Sequence, residues 1–417
     1  MANGDFQSYL RLLRGFFAEF RSVLRHKKQQ QRLGLFYNRA FMVVICLYPN
    51  RCLLANPMYK FCSLFVLANS SLFLLSVTCA IPKSTNVIDM GDDIVFMIGI
   101  TLITTKLYYI HFRANEIDDV IEDFQYYEKI FKADHSLGKA DNDENKEILR
   151  WQRICYLVEL VMIIQFTVYL CFFNVAICMH PLISDRELPY HAVMPFGWQH
   201  PDQHPYMHAL TYIWQTATGQ FNLMAICHID LFGSHTFMHT ALNLKILCIE
   251  MKKLGKLQLS DTHFHEQLCK IIQFHQHIIH TIQNNSRVFH GTFITQMIAS
   301  FALISISMFE TMAAADNPKV AAKFVLLMFI TFIQLSYWCV VGTLVYSQSV
   351  NVAQAAFELN DWHTKSIGIQ RIILFMIMRS QKPLIYAAKP FPPFTMATYS
   401  IILQQCYRML AVLREAM

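Results

Sequence analysis

The chain has 417 residues, of which 54% are hydrophobic and only 15% are charged, with a formal net charge of +6. Soluble domains carry nearer a quarter charged residues, and here the apolar residues cluster in runs of about 20, which is typical of a polytopic membrane protein. The positive charge lies between these runs, so it indicates topology and does not favour a nucleic-acid-binding protein. The pattern predicts an all-α membrane protein.

The first 57 residues form a basic segment in which apolar side chains recur at helical spacing between arginines. We predict a cytosolic amphipathic helix here, lying on the lipid surface or packed against the bundle. The next domain, residues 58–347, holds six apolar stretches long enough to cross a bilayer. The predicted spans are 58–81, 87–112, 155–179, 206–232, 288–312 and 320–347.

Several segments between the spans keep a helical pattern and predict extensions into the cytosol. Residues 113–154 extend the second and third helices around a loop at 134–145, and the fourth helix continues to Lys256. An amphipathic helix after Ser260 runs into the fifth span. On the opposite side, a loop rich in proline and histidine at 180–208 is expected to cover the vestibule.

The distribution of lysine and arginine predicts the orientation. Nearly all of them lie in the amino-terminal segment and in 113–154, 245–287 and 365–389, and such residues stay in the cytosol. The amino terminus is then cytosolic, and seven transmembrane helices place the carboxyl terminus outside the cell. This arrangement is opposite to that of G-protein-coupled receptors and argues against that class.

The carboxyl-terminal region divides into two predicted domains. Residues 348–390 form a cytosolic anchor helix and a proline-broken elbow, and residues 391–417 form the seventh helix. This last helix is apolar but carries amides, so it needs a wet or polar neighbour, and we interpret it as pore-lining. The proposed pore and gate residues are Leu403, Gln404, Cys406, Tyr407 and Leu410.

A second interpretation of the same residues is packing on neighbouring helices, with the glutamines bonding between subunits. Arg408 conflicts with a cation pore, because a basic lining opposes cations. Either its side chain reaches the outer face, or only one or two subunits carry it.

The layout resembles the insect odorant receptor family, and the likeness is sharpest from Phe357 to Leu413. The family pattern has an aromatic stretch containing Trp, a short basic helix, a segment like Arg-Ser-Gln-Lys-Pro-Leu, an elbow and a last span ending near a Tyr. The matching positions are Phe357, Trp362, Arg371, 379–384, Phe394 and Tyr407, and His275 fits a histidine common before the fifth span.

The resemblance implies an odorant-gated, non-selective cation channel with four subunits around one pore. The chain lacks the long insertion of the common odorant co-receptor, so it resembles the variable, odour-binding subunit that assembles with that co-receptor. The family also implies a plasma-membrane location in sensory neuron dendrites, in contact with membrane lipid. The cytosolic anchor would hold subunits together, with ordinary juxtamembrane charge as the alternative. Its expected interface residues are Trp362, Arg379, Gln381 and Lys382.

The resemblance further places a small, aromatic or heteroaromatic volatile between the outer halves of the second, third, fourth and sixth spans. Such a pocket is expected to be aromatic, with one or two polar groups. For any single residue, plain packing or lipid contact is the competing role. The expected ligand-binding residues are Phe96, Ile100, Phe166, Tyr169, Phe173, Tyr212, Thr216, Met328 and Phe332, with Tyr169, Tyr212 and Thr216 supplying the hydrogen bond.

Other functions have weaker support in the sequence. The histidine groups at 200–204 and 263–265 complete no four-ligand set, so neither a metal nor a cofactor is expected. The sequence has no phosphate loop, nucleophile elbow or metallopeptidase signature, which argues against an enzyme. Two rivals remain: a taste-type ligand-gated channel acting without a co-receptor, and a secondary transporter. The transporter ranks last, because the helix breaks lie at membrane edges and the two halves do not repeat.

Overall fold

The regular structure in the described part of the chain is helical. The computed structural model describes residues 10–11, 14–15, 18, 41–47, 55–84, 87–113, 116–117, 120, 130–131, 143–183, 188–257, 259–315, 317–387 and 389–415. Nine α-helices lie within these residues: α1 (Pro57–Thr78), α2 (Val87–Phe112), α3 (Asp143–Ile183), α4 (Pro205–Lys256), α5 (Asp261–Val288), α6 (His290–Ala313), α7 (Pro318–Phe357), α8 (Ile367–Ser380) and α9 (Met396–Glu415).

The helix bounds follow the predicted spans, with three differences. α2 ends at Phe112, whereas the prediction extends the second helix into 113–154. α3 begins at Asp143, inside the stretch predicted as a loop, and continues unbroken through the third span. α7 continues past residue 347 to Phe357, so the predicted boundary between the transmembrane and anchor domains falls within a helix. The amphipathic helix predicted within 1–57 and most of the loop predicted at 134–145 lie outside the described residues.

Five helical stretches in the described residues are long and apolar enough to cross a membrane: Pro57–Lys83, Asp89–Phe112, Asp143–Met179, His290–Ala313 and Val320–Phe357. α4 and α9 are too polar for this criterion. α4 carries buried amides, imidazoles and a carboxylate, and α9 carries two glutamines and an arginine. Polar side chains within a membrane bundle need protein or water beside them, so the positions of these two helices explain their composition.

α4 lies at the centre of the bundle. It packs against α1, α2, α3, α5 and α7, and its middle turns from Ala225 to Met238 are buried on all sides. Gly233 brings α4 and α7 together, because a Cβ there would lie 2.2 Å from the Trp338 ring. Neighbouring helices therefore shield the polar side chains of α4 from lipid.

Among the described helices, α9 packs mainly against α6 and α7, which contact one side of it. Its amino-terminal end is fixed to α7, since the Met396 backbone N–H donates to Thr343 Oγ1 at 2.8 Å. The preceding carbonyl of Phe394 lies against Gly342, where a Cβ would approach within 2.0 Å. Any displacement of this part of α7 must therefore move the start of α9.

Candidate ligand site and pore helix

An aromatic cluster lies between α3 and α7. The rings of Phe166 and Tyr337 meet edge to face at 5.7 Å, and those of Tyr169 and Phe329 at 6.2 Å. The Tyr337 hydroxyl is buried and has no hydrogen-bond partner among the described residues. Ligand pockets for small molecules combine such an apolar lining with a few polar groups, and a buried hydroxyl without a partner is a donor available to a ligand.

The loop before α4 inserts Tyr190 into the bundle. Its ring meets Phe73 and Phe96 edge to face at 5.2 Å and 5.1 Å. Its hydroxyl donates to Asn174 Oδ1 at 3.3 Å, and its backbone N–H donates to Gln215 Oε1 at 3.1 Å. Burial raises the pKa of the Tyr190 hydroxyl well above its usual value. The loop thus closes the bundle with a neutral aromatic plug.

A polar cavity of about 450 Å³ lies beside this plug, at the end of the bundle covered by the loop. Acidic side chains line it, among them Asp92, which pairs with Lys323, and Asp93, whose Oδ2 lies 2.8 Å from His191 Nδ1. Lys323 Nζ also lies 4.7 Å from the Phe96 ring centroid. The charged cavity therefore adjoins the aromatic interior.

The predicted ligand residues divide into separate groups. Phe166 and Tyr169 lie in the α3–α7 cluster, whereas Phe96 contacts the Tyr190 plug. Two predicted hydrogen-bonding groups already have partners: the Tyr212 hydroxyl donates to the Cys178 carbonyl at 2.6 Å, and Tyr169 Oη accepts from an amide at 3.4 Å. The remaining predicted residues are buried or partly buried: Ile100, Phe173, Thr216, Met328 and Phe332.

Sequence patterns did not reveal Tyr337 or Tyr190 as site residues. Tyr337 lies five residues beyond the predicted Phe332 on the same helix. A period of 3.6 around an apolar helix does not say which face meets which neighbour. Tyr190 lies in a loop without periodicity. The loop also contains Phe196 and Trp198, so its composition does not single out Tyr190.

A buried charged network joins four helices near the middle of the bundle. Lys106 on α2 is 1% exposed and pairs with Asp230 on α4, which is 4% exposed. Gln296 on α6 accepts from Lys106, and Gln334 on α7 donates to Asp230. A lysine and an aspartate within a membrane bundle are expensive to bury, and each here has a charged partner and an amide.

A second aromatic cluster connects this network to the elbow. The Tyr386 ring stacks on Phe237 at 3.6 Å, and Trp338 and Phe394 contact the same ring of Phe237. The Tyr386 hydroxyl bonds to Thr240 Oγ1 at 2.9 Å, and burial raises its pKa to about 12. The elbow before α9 is therefore held in the core and is not a free surface loop.

The predicted anchor residues lie around the carboxyl-terminal ends of α7 and α8. Trp362 Nε1 donates to the last carbonyl of α7 at 3.1 Å, and Arg379 Nη1 contacts the Lys382 carbonyl at 3.5 Å. Gln381 and Lys382 are exposed. On α5, burial and, to a smaller extent, the nearby Arg379 charge together lower the pKa of the His275 imidazole to about 4.

The predicted pore residues lie on different faces of α9. Cys406 is fully buried and its Sγ lies 3.8 Å from the Phe301 carbonyl of α6. Leu403 and Leu410 are half-buried. In contrast, Gln404 is exposed and Tyr407 is 66% exposed. Cys406 therefore faces the chain's own bundle, while Gln404 and Tyr407 lie on the open face of the helix.

Comparisons with known proteins agree with this architecture. The family model described as 7tm Odorant receptor matches residues 86–407. Odorant receptor 47b of Drosophila melanogaster is 50% identical over 420 residues, covering 100% of both chains. Odorant receptor 65a of the same organism is 32% identical over 359 residues, which is 85% of this chain and 84% of that receptor.

Solved structures share the fold. The insect olfactory receptor OR5 from Machilis hrabei matches with a TM-score of 0.76 at 13% identity, covering 92% of this chain and 100% of that chain. The same receptor in complex with eugenol matches at 0.76 over 95% of this chain. At this identity the likeness shows the fold alone, and it confirms the predicted all-α membrane architecture.

Proposed function

The chain belongs to the insect odorant receptor family, and from that premise we propose that it is the odour-binding subunit of a heteromeric, odorant-gated, non-selective cation channel. The family consists of receptors and not enzymes, and the apolar helices make the chain a membrane protein. The proposed partner is the odorant co-receptor, with four subunits around one pore. The proposed location is the plasma membrane of sensory neuron dendrites, with the amino terminus in the cytosol.

We place the ligand, an aromatic or heteroaromatic volatile, against the cluster of Phe166, Tyr169, Phe329 and Tyr337. The observation that carries this assignment is the buried Tyr337 hydroxyl without a partner among the described residues. A volatile with an oxygen or ring nitrogen would accept its hydrogen bond, and the surrounding rings would offer edge and face contacts. The OR5 complex with eugenol supports an aromatic ligand within this fold.

α7 provides the route from the ligand to α9. Gln334 is tied to the charged network, Tyr337 belongs to the ligand cluster, and Trp338 packs in the elbow cluster. Gly342 and Thr343 then contact the start of α9. A ligand that favours one position of α7 therefore also favours one position of α9, which is the requirement for gating by a differential affinity.

The open face of α9 is the proposed pore lining. Gln404 and Tyr407 are exposed there, while α6 and α7 cover the other side of the helix. Leu403 and Leu410, half-buried beside them, would flank the lumen and narrow it. Cys406 is better suited to holding α9 against α6 than to a gate, because its thiol lies against the Phe301 carbonyl. Arg408 is exposed next to Tyr407 and would mark the outer end of the lining.

The anchor is proposed as a subunit interface. Gln381 and Lys382 are exposed beside the membrane edge, and Arg379 and Trp362 fix the local backbone through hydrogen bonds. Exposed polar groups on a rigid frame suit a polar interface between subunits. Charge reversal at Lys382 should reduce co-purification with the co-receptor, and the same reversal at exposed Lys60 on α1 is the matched control.

Recording of odour-evoked current tests the whole proposal. Cells expressing the chain with a co-receptor should respond to volatiles, and cells expressing either subunit alone should not respond to the same volatile. Current from the chain alone would instead support the taste-type channel. Uptake without current would contradict any channel. A carboxyl-terminal tag that antibodies reach only after permeabilisation would contradict the proposed orientation.

A further inference from the structure

A cluster of metal-ligating side chains lies buried between α3 and α4, apart from the aromatic site and from α9. Cys155 Sγ, Glu159 Oε1 and His239 Nε2 all lie within 4.8 Å of one another. The Sγ–Oε1 distance is 3.9 Å and the Oε1–Nε2 distance is 3.1 Å. Glu159 is fully buried, and the side chains of Cys155 and His239 are 7% and 12% exposed.

Two helical pairs create this arrangement. Cys155 and Glu159 are four residues apart on α3, and His235 and His239 are four residues apart on α4. Residues at this spacing share one helix face, so each helix presents two potential ligands in consecutive turns. The extensive packing of α3 on α4 brings the two faces together. Paired ligands on facing helices are how helical bundles build metal sites.

The carboxylate makes the site unusual. Glu159 Oε2 is buried and has no hydrogen-bond partner among the described residues, while Oε1 faces His239. An ionised carboxylate in a membrane bundle is costly unless a cation neutralises it. A single imidazolium offsets one charge but leaves the second oxygen unsatisfied. A divalent ion would satisfy both requirements.

We propose that Cys155, Glu159 and His239 bind a divalent transition-metal ion, and that Zn²⁺ suits the site best. Thiolate, imidazole and carboxylate are all zinc ligands, with bond lengths of about 2.0–2.3 Å. Tetrahedral geometry with these bonds separates the ligand atoms by about 3.4–3.6 Å. The observed distances of 3.9 Å and 3.1 Å already approach this spacing. Hard oxygen-preferring ions such as Mg²⁺ would not choose a thiol.

Binding requires that the Cys155 thiol lose its proton, which leaves to solvent as the metal–sulfur bond forms. His235 is the candidate for the fourth position, since it is fully buried one turn from His239 and lies close enough to Glu159 for their charges to interact. The ion would link α3 to α4 on the side of α4 away from the network of Lys106. The metal would therefore stabilise the bundle without belonging to the odour site.

The alternative without a metal is a Glu159–His239 ion pair with the Cys155 thiol beside it. The two arrangements differ in a spectroscopic property that packing alone cannot produce. Co²⁺ replaces Zn²⁺ in tetrahedral sites, and a thiolate ligand adds a sulfur-to-metal charge-transfer band in the near ultraviolet. The purified full-length chain in detergent should show this band at about one equivalent of Co²⁺, and Zn²⁺ should remove it.

Variants then assign the band. Cys155→Ser should abolish it, and His239→Gln should weaken Co²⁺ affinity at least about tenfold, as the loss of a ligand or its support does. Cys171→Ser, on the same helix but outside the cluster, should keep it. The wild type decides the matter even where a variant fails to fold, because absence of a thiolate band in the wild type overturns the proposal. A band that survives Cys155→Ser or disappears in Cys171→Ser also overturns it.

Discussion

Replacing Tyr337 with phenylalanine should raise the stability of the unliganded chain and weaken its response to odour. The hydroxyl is buried without a partner among the described residues, and such a group costs about 1–3 kcal/mol. Phenylalanine keeps the edge contact with Phe166 and removes that cost. A bound volatile that accepts from the hydroxyl would lose about 0.5–1.5 kcal/mol, or about a 2- to 13-fold rise in the half-maximal concentration.

The assay pairs two measurements. Thermal unfolding in detergent reports stability, and current in cells expressing the co-receptor reports the response to aromatic ethers and aldehydes beside their hydrocarbon counterparts. In the Tyr337→Phe variant, the half-maximal concentration should rise for the oxygen-bearing volatiles and stay unchanged for the hydrocarbons. Tyr346→Phe is the control, because Tyr346 lies on the same helix but is 42% exposed. A variant that is less stable and responds equally to both ligand classes would refute the reasoning.

Three further changes probe the bundle, each by thermal unfolding in detergent. Lys106→Met should lower the free energy of unfolding by about 3–5 kcal/mol, because it leaves Asp230 without its cation. Adding Asp230→Leu should restore most of that free energy. A single variant as stable as the wild type would contradict this prediction. Gly342→Ala should lower the free energy of unfolding by about 1–3 kcal/mol, because the added Cβ would lie 2.0 Å from the Phe394 carbonyl oxygen. Gly368→Ala is the control and should not lower it, because open space surrounds that position. Burial lowers the pKa of His275 from 6.5 to about 4, so its contribution to the free energy of unfolding is complete above pH 6.5 and should fall by about 3 kcal/mol as the pH drops to 4. His275→Gln should remove this pH dependence between pH 6.5 and 4. A variant with the pH profile of the wild type would contradict the prediction.

The sequence was sufficient for the fold class and the family, because both depend on patterns along the chain. The second span was predicted at 87–112 from its apolar run, and α2 has those bounds. Apolar runs of membrane length and the block at 379–384 are likewise local signals. The fourth and seventh helices were also predicted from their apolar runs, although their polar residues weaken the hydropathy signal.

Pairings across the bundle could not be predicted in this way. Lys106 and Asp230 are 124 residues apart, and the local sequence around either residue does not indicate its partner. Cys155 and His239 also come from different helices, so the closely spaced histidines at 200–204 and 263–265 give no indication of them. Helical periodicity indicated which residues of α9 share a face but not the direction in which that face points. In the structure Cys406 faces α6, whereas Gln404 is exposed.

The proposed coupling between the ligand cluster and α9 depends on which faces of α7 meet each of them. Tyr337 and Thr343 are six residues apart, which is about 9 Å along a helix. Between them, Trp338 packs against Phe394 and Gly342 touches its carbonyl, so no flexible segment separates the ligand cluster from the start of α9. On the other side of Tyr337, Gln334 is tied to Asp230 at the centre of the bundle. A ligand that tilts α7 must therefore either strain the Gln334–Asp230 hydrogen bond or rotate the helix about it. Thr343 lies farther along α7 from Gln334 than Tyr337 does. A rotation about Gln334 would therefore move the start of α9 more than it moves the ligand cluster.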